Sequence, residues 1–156
     1  MMKPYADTNF LTALFCGGAH GEQAAATHKA AEARRIGPLP VTPMLSLEFI
    51  NALQQLVFLS RHGVQNLRFT PEIAMFKEEL FIREMADGNV WNIIKPDVAD
   101  FEKMYTALVH RHTATHGFRT YDIIHVASAI VLGCDTFWSF DEKARKLAKL
   151  EGLKLN

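Results

Sequence analysis

Short apolar runs alternate with longer stretches of helical periodicity along almost the whole chain, and this alternation limits the folds that the chain can adopt. The apolar runs stand at 2–6, 39–42, 90–94 and 135–138, and a short run follows at 153–155. A helical pattern lies between each run and the next. This order is typical of parallel strands joined by helical crossovers. We therefore predict an α/β fold, a three-layer α/β/α sandwich with a four- to five-stranded, mainly parallel sheet covered by helices on both faces.

Hydroxyl residues, prolines and glycines mark the ends of the predicted helices. Threonine followed by proline, as at Thr42-Pro43 and Thr70-Pro71, favours a helix start, because the hydroxyl caps free N–H groups and proline suits the first turn. The predicted helices cover 10–16, 22–35, 43–61, 71–86, 97–109, 121–132 and 141–150, and residues 110–119 are predicted as a loop. Pro4 and Pro40 lie inside predicted strands and each removes a ladder donor, so we expect these strands to be short.

Length and composition exclude several classes of protein. The 156 residues suit one domain, 1–156. Because 17 basic residues balance 17 acidic residues, a polyanion such as a nucleic acid would have to bind at a local patch or through a metal. Cys16 and Cys134 are too few for a disulfide framework. The sequence lacks the roughly 18 uninterrupted apolar residues of a membrane span. We expect a soluble, cytoplasmic protein with no membrane partner.

Acidic residues fall at the points where functional groups of a parallel α/β sheet are found, the carboxyl ends of the strands. Asp7 follows the first predicted strand, Asp141 follows the fourth, and Asp122 lies in the first turn of the helix before the fourth. Each aspartate alone has a simpler explanation as a helix cap or a first-turn acid. Glu48 has none, because it lies about two turns into a helix among apolar neighbours, where an unpaired acid is costly.

Four carboxylates brought to one edge of a sheet would repel one another unless a cation lay between them. Mg²⁺ is the natural cation, because it prefers oxygen ligands and uses few carboxylates. A metal held in this way can activate water and stabilise charge on a phosphoryl oxygen. The acidic residues therefore favour a metal-dependent hydrolase acting on phosphodiester bonds.

Four segments in this order resemble the PIN-domain ribonucleases, and within that family the VapC-type toxins of toxin–antitoxin pairs. They are Asp7-Thr8-Asn9, Glu48 six residues after Thr42, the run 121–127, and Ser139-Phe140-Asp141. The resemblance implies an α/β/α sandwich with Mg²⁺- or Mn²⁺-dependent endoribonuclease activity that leaves 3′-hydroxyl and 5′-phosphate ends. It also implies an RNA substrate and an antitoxin protein as partners.

The resemblance implies roles for individual residues. By this likeness, the catalytic and metal-binding residues are Asp7, Glu48, Asp122 and Asp141. Asn9 matches a polar residue that orients the first acid, and Ser139 matches a hydroxyl residue that precedes the last.

A basic cluster lies between the fifth and sixth predicted helices. We consider Arg111, Arg119, His112 and His116 as an RNA-binding patch, with an ordinary solvated loop as the alternative. A zinc site that includes His110 has weaker support, because no further ligand lies nearby in sequence.

Two other functions remain open at this stage. A haloacid-dehalogenase-like phosphatase would use Asp7 as a nucleophile, but it needs a second aspartate where this chain has Asn9, and an amide cannot shuttle a proton. A non-catalytic PIN-like module would bind RNA or a partner without cutting. The apolar residues of the first and third helices are either core or a groove for an antitoxin helix or a second copy of the chain.

Overall fold

The computed structural model describes residues 2–64 and 68–156. The strands are β1 (Pro4–Ala6), β2 (Leu39–Val41), β3 (Trp91–Ile93), β4 (Thr136–Trp138) and β5 (Lys154–Leu155). The helices are α1 (Thr8–Cys16), α2 (Gly21–Ala33), α3 (Pro43–Arg61), α4 (Pro71–Asp87), α5 (Val98–Leu108), α6 (Ala114–His116), α7 (Thr120–Val131) and α8 (Glu142–Leu150). A π-helical turn, Val109–Thr113, joins α5 to α6.

The strands pair in parallel, which confirms the predicted α/β architecture. β4 pairs with both β1 and β5 and forms a three-stranded sheet, and β2 pairs with β3. β1 lies beside β2, so the two sheets meet there. The strands are short, as the prolines in β1 and β2 predict. Because all pairs are parallel, the strands end at the same edge, with Ala6 opposite Trp138 and Val41 opposite Ile93.

The helix starts predicted at Thr42-Pro43 and Thr70-Pro71 are confirmed, and two other helix starts fix functional side chains. Asp7 caps α1 by accepting the backbone N–H of Phe10 at 3.0 Å. Thr42 caps α3 in the same way, with Pro43 at the first helical position. Asp141 caps α8. Local sequence signals therefore place two of the candidate acids in defined orientations at helix N-termini.

The prediction of a loop at 110–119 is wrong, because most of this segment is helical. Helical backbone continues without a break from α5 through Val109–Thr113 and α6 to Gly117, which adopts a left-handed conformation with φ 63°. The sequence contains no proline or glycine between Val98 and Gly117 to stop the helix earlier. A tertiary contact also stabilises the extension, since Arg111 bonds Glu151 at the end of α8.

The apolar residues of α1 and α3 form mainly core. Phe15, Phe49 and Phe81 pack together from three helices, with ring centroids 4.6–5.7 Å apart. A second set of large apolar side chains on α3 and α4 is exposed, and it consists of Met44, Leu47, Phe58, Ile73, Met75, Phe76 and Ile82. We call this set the α3/α4 apolar surface. Within the described ranges, no helix has the length and apolar character needed to cross a membrane.

Candidate active site

A cleft of about 890 Å³ opens beside the ends of β1 and β4. Its lining includes all four candidate acids, Asp7, Glu48, Asp122 and Asp141. These residues come from four separate parts of the chain, and the parallel topology brings them together. The cleft is therefore acidic, and its properties depend on how each charge is neutralised.

Asp7 is the most buried of the four acids. The residue is only 3% exposed, and Oδ1 accepts the Phe10 N–H. Burial raises the pKa of this carboxyl from 3.8 to about 6, although the charge of His125 and a hydrogen bond from Ser139 oppose the shift. Among the described residues, no lysine or arginine bonds to Asp7. This carboxylate therefore carries a desolvation cost that a nearby cation would relieve.

Glu48 is held by a network that reaches into the core. His125 Nε2 and Thr8 Oγ1 both bond Glu48 Oε2, the latter at 2.6 Å, and Tyr5 Oη lies 3.1 Å from His125 Nδ1. Because a carboxylate only accepts hydrogen bonds, Nε2 carries the proton, and in the neutral ring Nδ1 accepts from Tyr5. Burial favours a higher pKa for Glu48, but the hydrogen bonds from His125 and Thr8 outweigh it and lower the pKa. Glu48 thus stays ionised, with one oxygen fixed in place.

Asp122 and Asp141 share one cation, Arg119. The guanidinium Nη2 lies 2.9 Å from Asp122 Oδ1 and 2.8 Å from Asp141 Oδ2. These acids raise the pKa of Arg119 further, with the hydrogen bond to Asp122 as the largest cause. Burial works against ionisation of Asp141, yet the N–H of Ala144 and the bond from Arg119 lower its pKa.

The supporting residues Asn9 and Ser139 connect α1 to the loop before α8. Asn9 Oδ1 accepts the N–H of Phe140 at 2.8 Å, and Ser139 Oγ accepts the N–H of Asp141 at 2.9 Å. Asn9 therefore fixes the loop that carries Asp141. The resemblance implied that Asn9 orients the first acid, whereas its direct hydrogen bonds here go to that loop.

The basic cluster divides into two parts. Arg119 lines the cleft, whereas Arg111 and His112 bond Glu151 at 2.7 and 2.6 Å. His116 packs against Phe118, with ring centroids 5.4 Å apart. Three of the four candidate RNA-binding residues thus lie outside the cleft lining, where their contacts are structural.

The acidic residues fit a divalent ion by the chemistry of their donors, since hard oxygen ligands suit Mg²⁺ and Mn²⁺. Across residues 2–64 and 68–156, however, no three His, Cys, Asp or Glu side chains stand in an arrangement ready to hold a metal. The histidines at 110, 112 and 116 therefore give no support to a zinc site. For the acids, the physical reason is that Arg119 and His125 already engage carboxylate oxygens.

The sequence analysis assigns no individual role to three side chains that support the acids. Thr8 and His125 bond Glu48, and Tyr5 bonds His125. The spacing of three residues between Asp122 and His125 indicates that the two share a helix face. Tyr121, which is 54% exposed and lines the cleft beside Asp122, was also overlooked.

The fold is parallel α/β, and acids from four segments meet at the strand ends. Proteins with such an acidic cleft are suited to phosphoryl chemistry. The PIN domain model matches residues 5–150. The chain belongs to the PIN domain family, which argues against the phosphatase alternative. No curated protein sequence matches the chain.

Two solved structures are similar in fold. One is the structure of VapBC2 from Rickettsia felis bound to a DNA fragment from the VapBC2 promoter. Its sequence identity to this chain is 13% and its TM-score is 0.66, and the match covers 99% of this chain and 98% of that one. The other is VapC20 from Mycobacterium tuberculosis, described as a sarcin-ricin loop cleaving toxin, with 17% identity and a TM-score of 0.62, covering 92% of this chain and 94% of that one. At these identities the likeness shows a common fold.

Proposed function

We propose that this protein is a metal-dependent endoribonuclease that hydrolyses RNA phosphodiester bonds as the toxin of a toxin–antitoxin pair. The observation that carries the proposal is the convergence of Asp7, Glu48, Asp122 and Asp141 on one cleft in a chain of the PIN family. The similarity to VapC20, a toxin that cleaves RNA, supports the same reaction class. The proposed location is the cytoplasm.

The four carboxylates are the proposed ligands for Mg²⁺ or Mn²⁺. When bound, such an ion supplies activation of water and neutralisation of phosphate charge. The protein's own contribution is to hold the carboxylates in place. His125 and Thr8 fix Glu48, the α1 N-terminus fixes Asp7, and the Arg119 backbone N–H fixes Asp122.

The proposed RNA contact beside the acids is Tyr121. Its ring is exposed in the cleft, next in sequence to Asp122, and an exposed aromatic face can stack with an unpaired base. A base in a regular duplex is already stacked between its neighbours. Unpaired or looped RNA is therefore the favoured substrate.

An antitoxin protein is the proposed partner, and the α3/α4 apolar surface is its candidate binding site. Leu47 and Phe58 on α3 are 64% and 59% exposed, and Met75 and Phe76 on α4 are 67% and 59% exposed. Exposed apolar side chains on two helices that pack together could receive the apolar face of an amphipathic helix. The similarity to VapBC2, a toxin–antitoxin complex, supports this assignment.

The test is cleavage of a labelled, structured RNA in Mg²⁺, in Mn²⁺ and in chelator. We expect cutting only with metal, 5′-phosphate ends on the products, and loss of cutting in Asp122→Asn. Asp100→Asn is the matched control, because Asp100 is an exposed first-turn acid of α5 outside the cleft, and it should cut normally. Circular dichroism establishes that both variants fold.

Three results would contradict the proposal. Cutting that is equal in Asp122→Asn and the parent would show that the acids are not catalytic. Ends with 2′,3′-cyclic phosphate would show that the RNA 2′-hydroxyl is the nucleophile instead of water. RNA binding retained without cutting in any metal would favour the non-catalytic module.

A further inference from the structure

Arg119 binds two carboxylates of the cleft at once. Its Nη2 group bonds Asp122 Oδ1 at 2.9 Å and Asp141 Oδ2 at 2.8 Å, and its Nε group bonds Asp122 Oδ2 at 3.1 Å. The backbone N–H of Arg119 also donates to Asp122 Oδ2, at 2.9 Å. Both oxygens of Asp122 and one oxygen of Asp141 therefore already accept hydrogen bonds from this single residue.

The guanidinium is a fixed positive charge at this point of the cleft. An arginine side chain does not lose its proton in proteins, so its charge persists at every pH at which the chain is folded. A divalent ion bound through the same oxygens would meet this charge at short range, and the two cations would repel each other. Arg119 and a metal ion therefore compete for Asp122 and Asp141.

The arginine is the partner that can leave. Its side chain is 59% exposed, whereas the side chain of Asp122 is 5% exposed and cannot turn away. The guanidinium can move into solvent when a divalent ion takes its place, because the ion then compensates the charge of the buried Asp122 carboxylate. The backbone N–H of Arg119 would still hold Asp122 Oδ2, because that bond belongs to the start of α7. The carboxylate would thus keep its orientation after the guanidinium departs.

We propose that Arg119 is a built-in counter-ion that a divalent metal displaces from Asp122 and Asp141, and that the freed guanidinium then binds a phosphate of the RNA in the same cleft. The second half of this proposal rests on the proposed function. Among the described residues, Arg119 is the one arginine or lysine in the cleft lining, so a phosphate there has no other cationic side chain of this kind to bind. Arg119 is therefore a positioning residue that alternates between two anionic partners.

The first half is tested by titrating MnCl₂ into the RNA-free protein in a calorimeter. Replacing Arg119 by glutamine removes the competing charge, so Arg119→Gln is expected to bind Mn²⁺ at least about fivefold more tightly than the parent. Arg111→Gln is the matched control, because Arg111 is also half-exposed and paired with a glutamate but lies outside the cleft lining. Its Mn²⁺ affinity should equal that of the parent.

An Arg119→Gln variant that binds Mn²⁺ no more tightly than the parent would overturn the proposal. Arg119→Ala gives the same comparison if the glutamine variant does not fold, because alanine also removes the competing charge.

The second half is tested by fluorescence anisotropy with a short labelled RNA, in Ca²⁺ and in chelator, with the RNA checked for integrity on a gel. In Ca²⁺ the parent is expected to bind this RNA about fivefold more tightly than Arg119→Gln, since one charge-assisted phosphate contact is lost. In chelator the two should bind alike, because the guanidinium is then held by the acids. Equal affinity in Ca²⁺ would overturn the phosphate role. If the parent cuts no RNA in any metal, the proposed function fails, while the Mn²⁺ comparison still decides the first half.

Discussion

Replacing Asp7 with asparagine should stabilise the metal-free protein at neutral pH. Asp7 is 3% exposed, and burial raises the pKa of its carboxyl from 3.8 to about 6. The folded protein therefore binds this proton more tightly than the unfolded chain does, and the free energy of unfolding falls as the pH rises between these two values. The two-unit difference in pKa corresponds to a loss of about 3 kcal/mol above pH 6.

Asparagine removes that loss while keeping the local structure. Its side-chain oxygen can cap α1 as the aspartate does, so the bond from the Phe10 N–H is retained. We therefore expect Asp7→Asn to exceed the parent in free energy of unfolding by up to about 3 kcal/mol at pH 7.5, with the advantage fading towards about pH 4. The same variant should lose RNA cleavage under the proposed function.

Urea unfolding in EDTA, followed by circular dichroism at several values between pH 4.5 and 7.5, measures this difference. The variant-minus-parent difference removes every contribution that is the same in both proteins. Glu48 has a lowered pKa, so its stabilising contribution is lost only as the pH falls below its ordinary value of 4.5. Two results would refute the view that burial raises the pKa of Asp7. One is that the free energies of unfolding of variant and parent change in parallel with pH. The other is an Asp7→Asn variant that is less stable than the parent at pH 7.5.

Three further substitutions test contacts around the site. Tyr5→Phe should lower the free energy of unfolding by about 1–3 kcal/mol, because it removes the hydroxyl that faces His125 Nδ1 in the core; an unchanged urea midpoint would contradict the network. Asn9→Ala should cost about 1 kcal/mol and weaken cleavage, because the N–H of Phe140 loses its acceptor; full activity would show that the loop needs no such anchor. Phe49→Ala should cost about 3–5 kcal/mol in thermal or urea unfolding, and a loss under 1 kcal/mol would mean that this aromatic cluster is not core.

The fold was largely predictable because its signals are local. The threonine and proline at the start of α3 and the aspartate at the start of α1 determine those boundaries within the sequence itself. The continuation of α5 to Gly117 was not predicted, since it depends in part on the contact between Arg111 and Glu151, which are 40 residues apart. Contacts between distant segments leave no periodic signal.

The same distinction applies to the site. The order and spacing of the acids pointed to a shared cleft, because parallel strands must end at the same edge. The partners of those acids could not be predicted in the same way. Glu48 bonds His125, which lies 77 residues later, and the guanidinium of Arg119 bonds both Asp122 and Asp141. Both contacts result from tertiary packing.

The charge balance of the cleft constrains how the protein can recognise RNA. Four carboxylates face a single guanidinium there, and the whole chain has no net charge. The chain therefore has no long-range attraction for a polyanion, and the described lining of the cleft is not a basic groove. Under the proposed function, divalent ions are needed for RNA binding as well as for hydrolysis, since the acids would otherwise repel the phosphates. Selectivity then depends on short-range contacts such as stacking on Tyr121, which only an accessible, unpaired base can make.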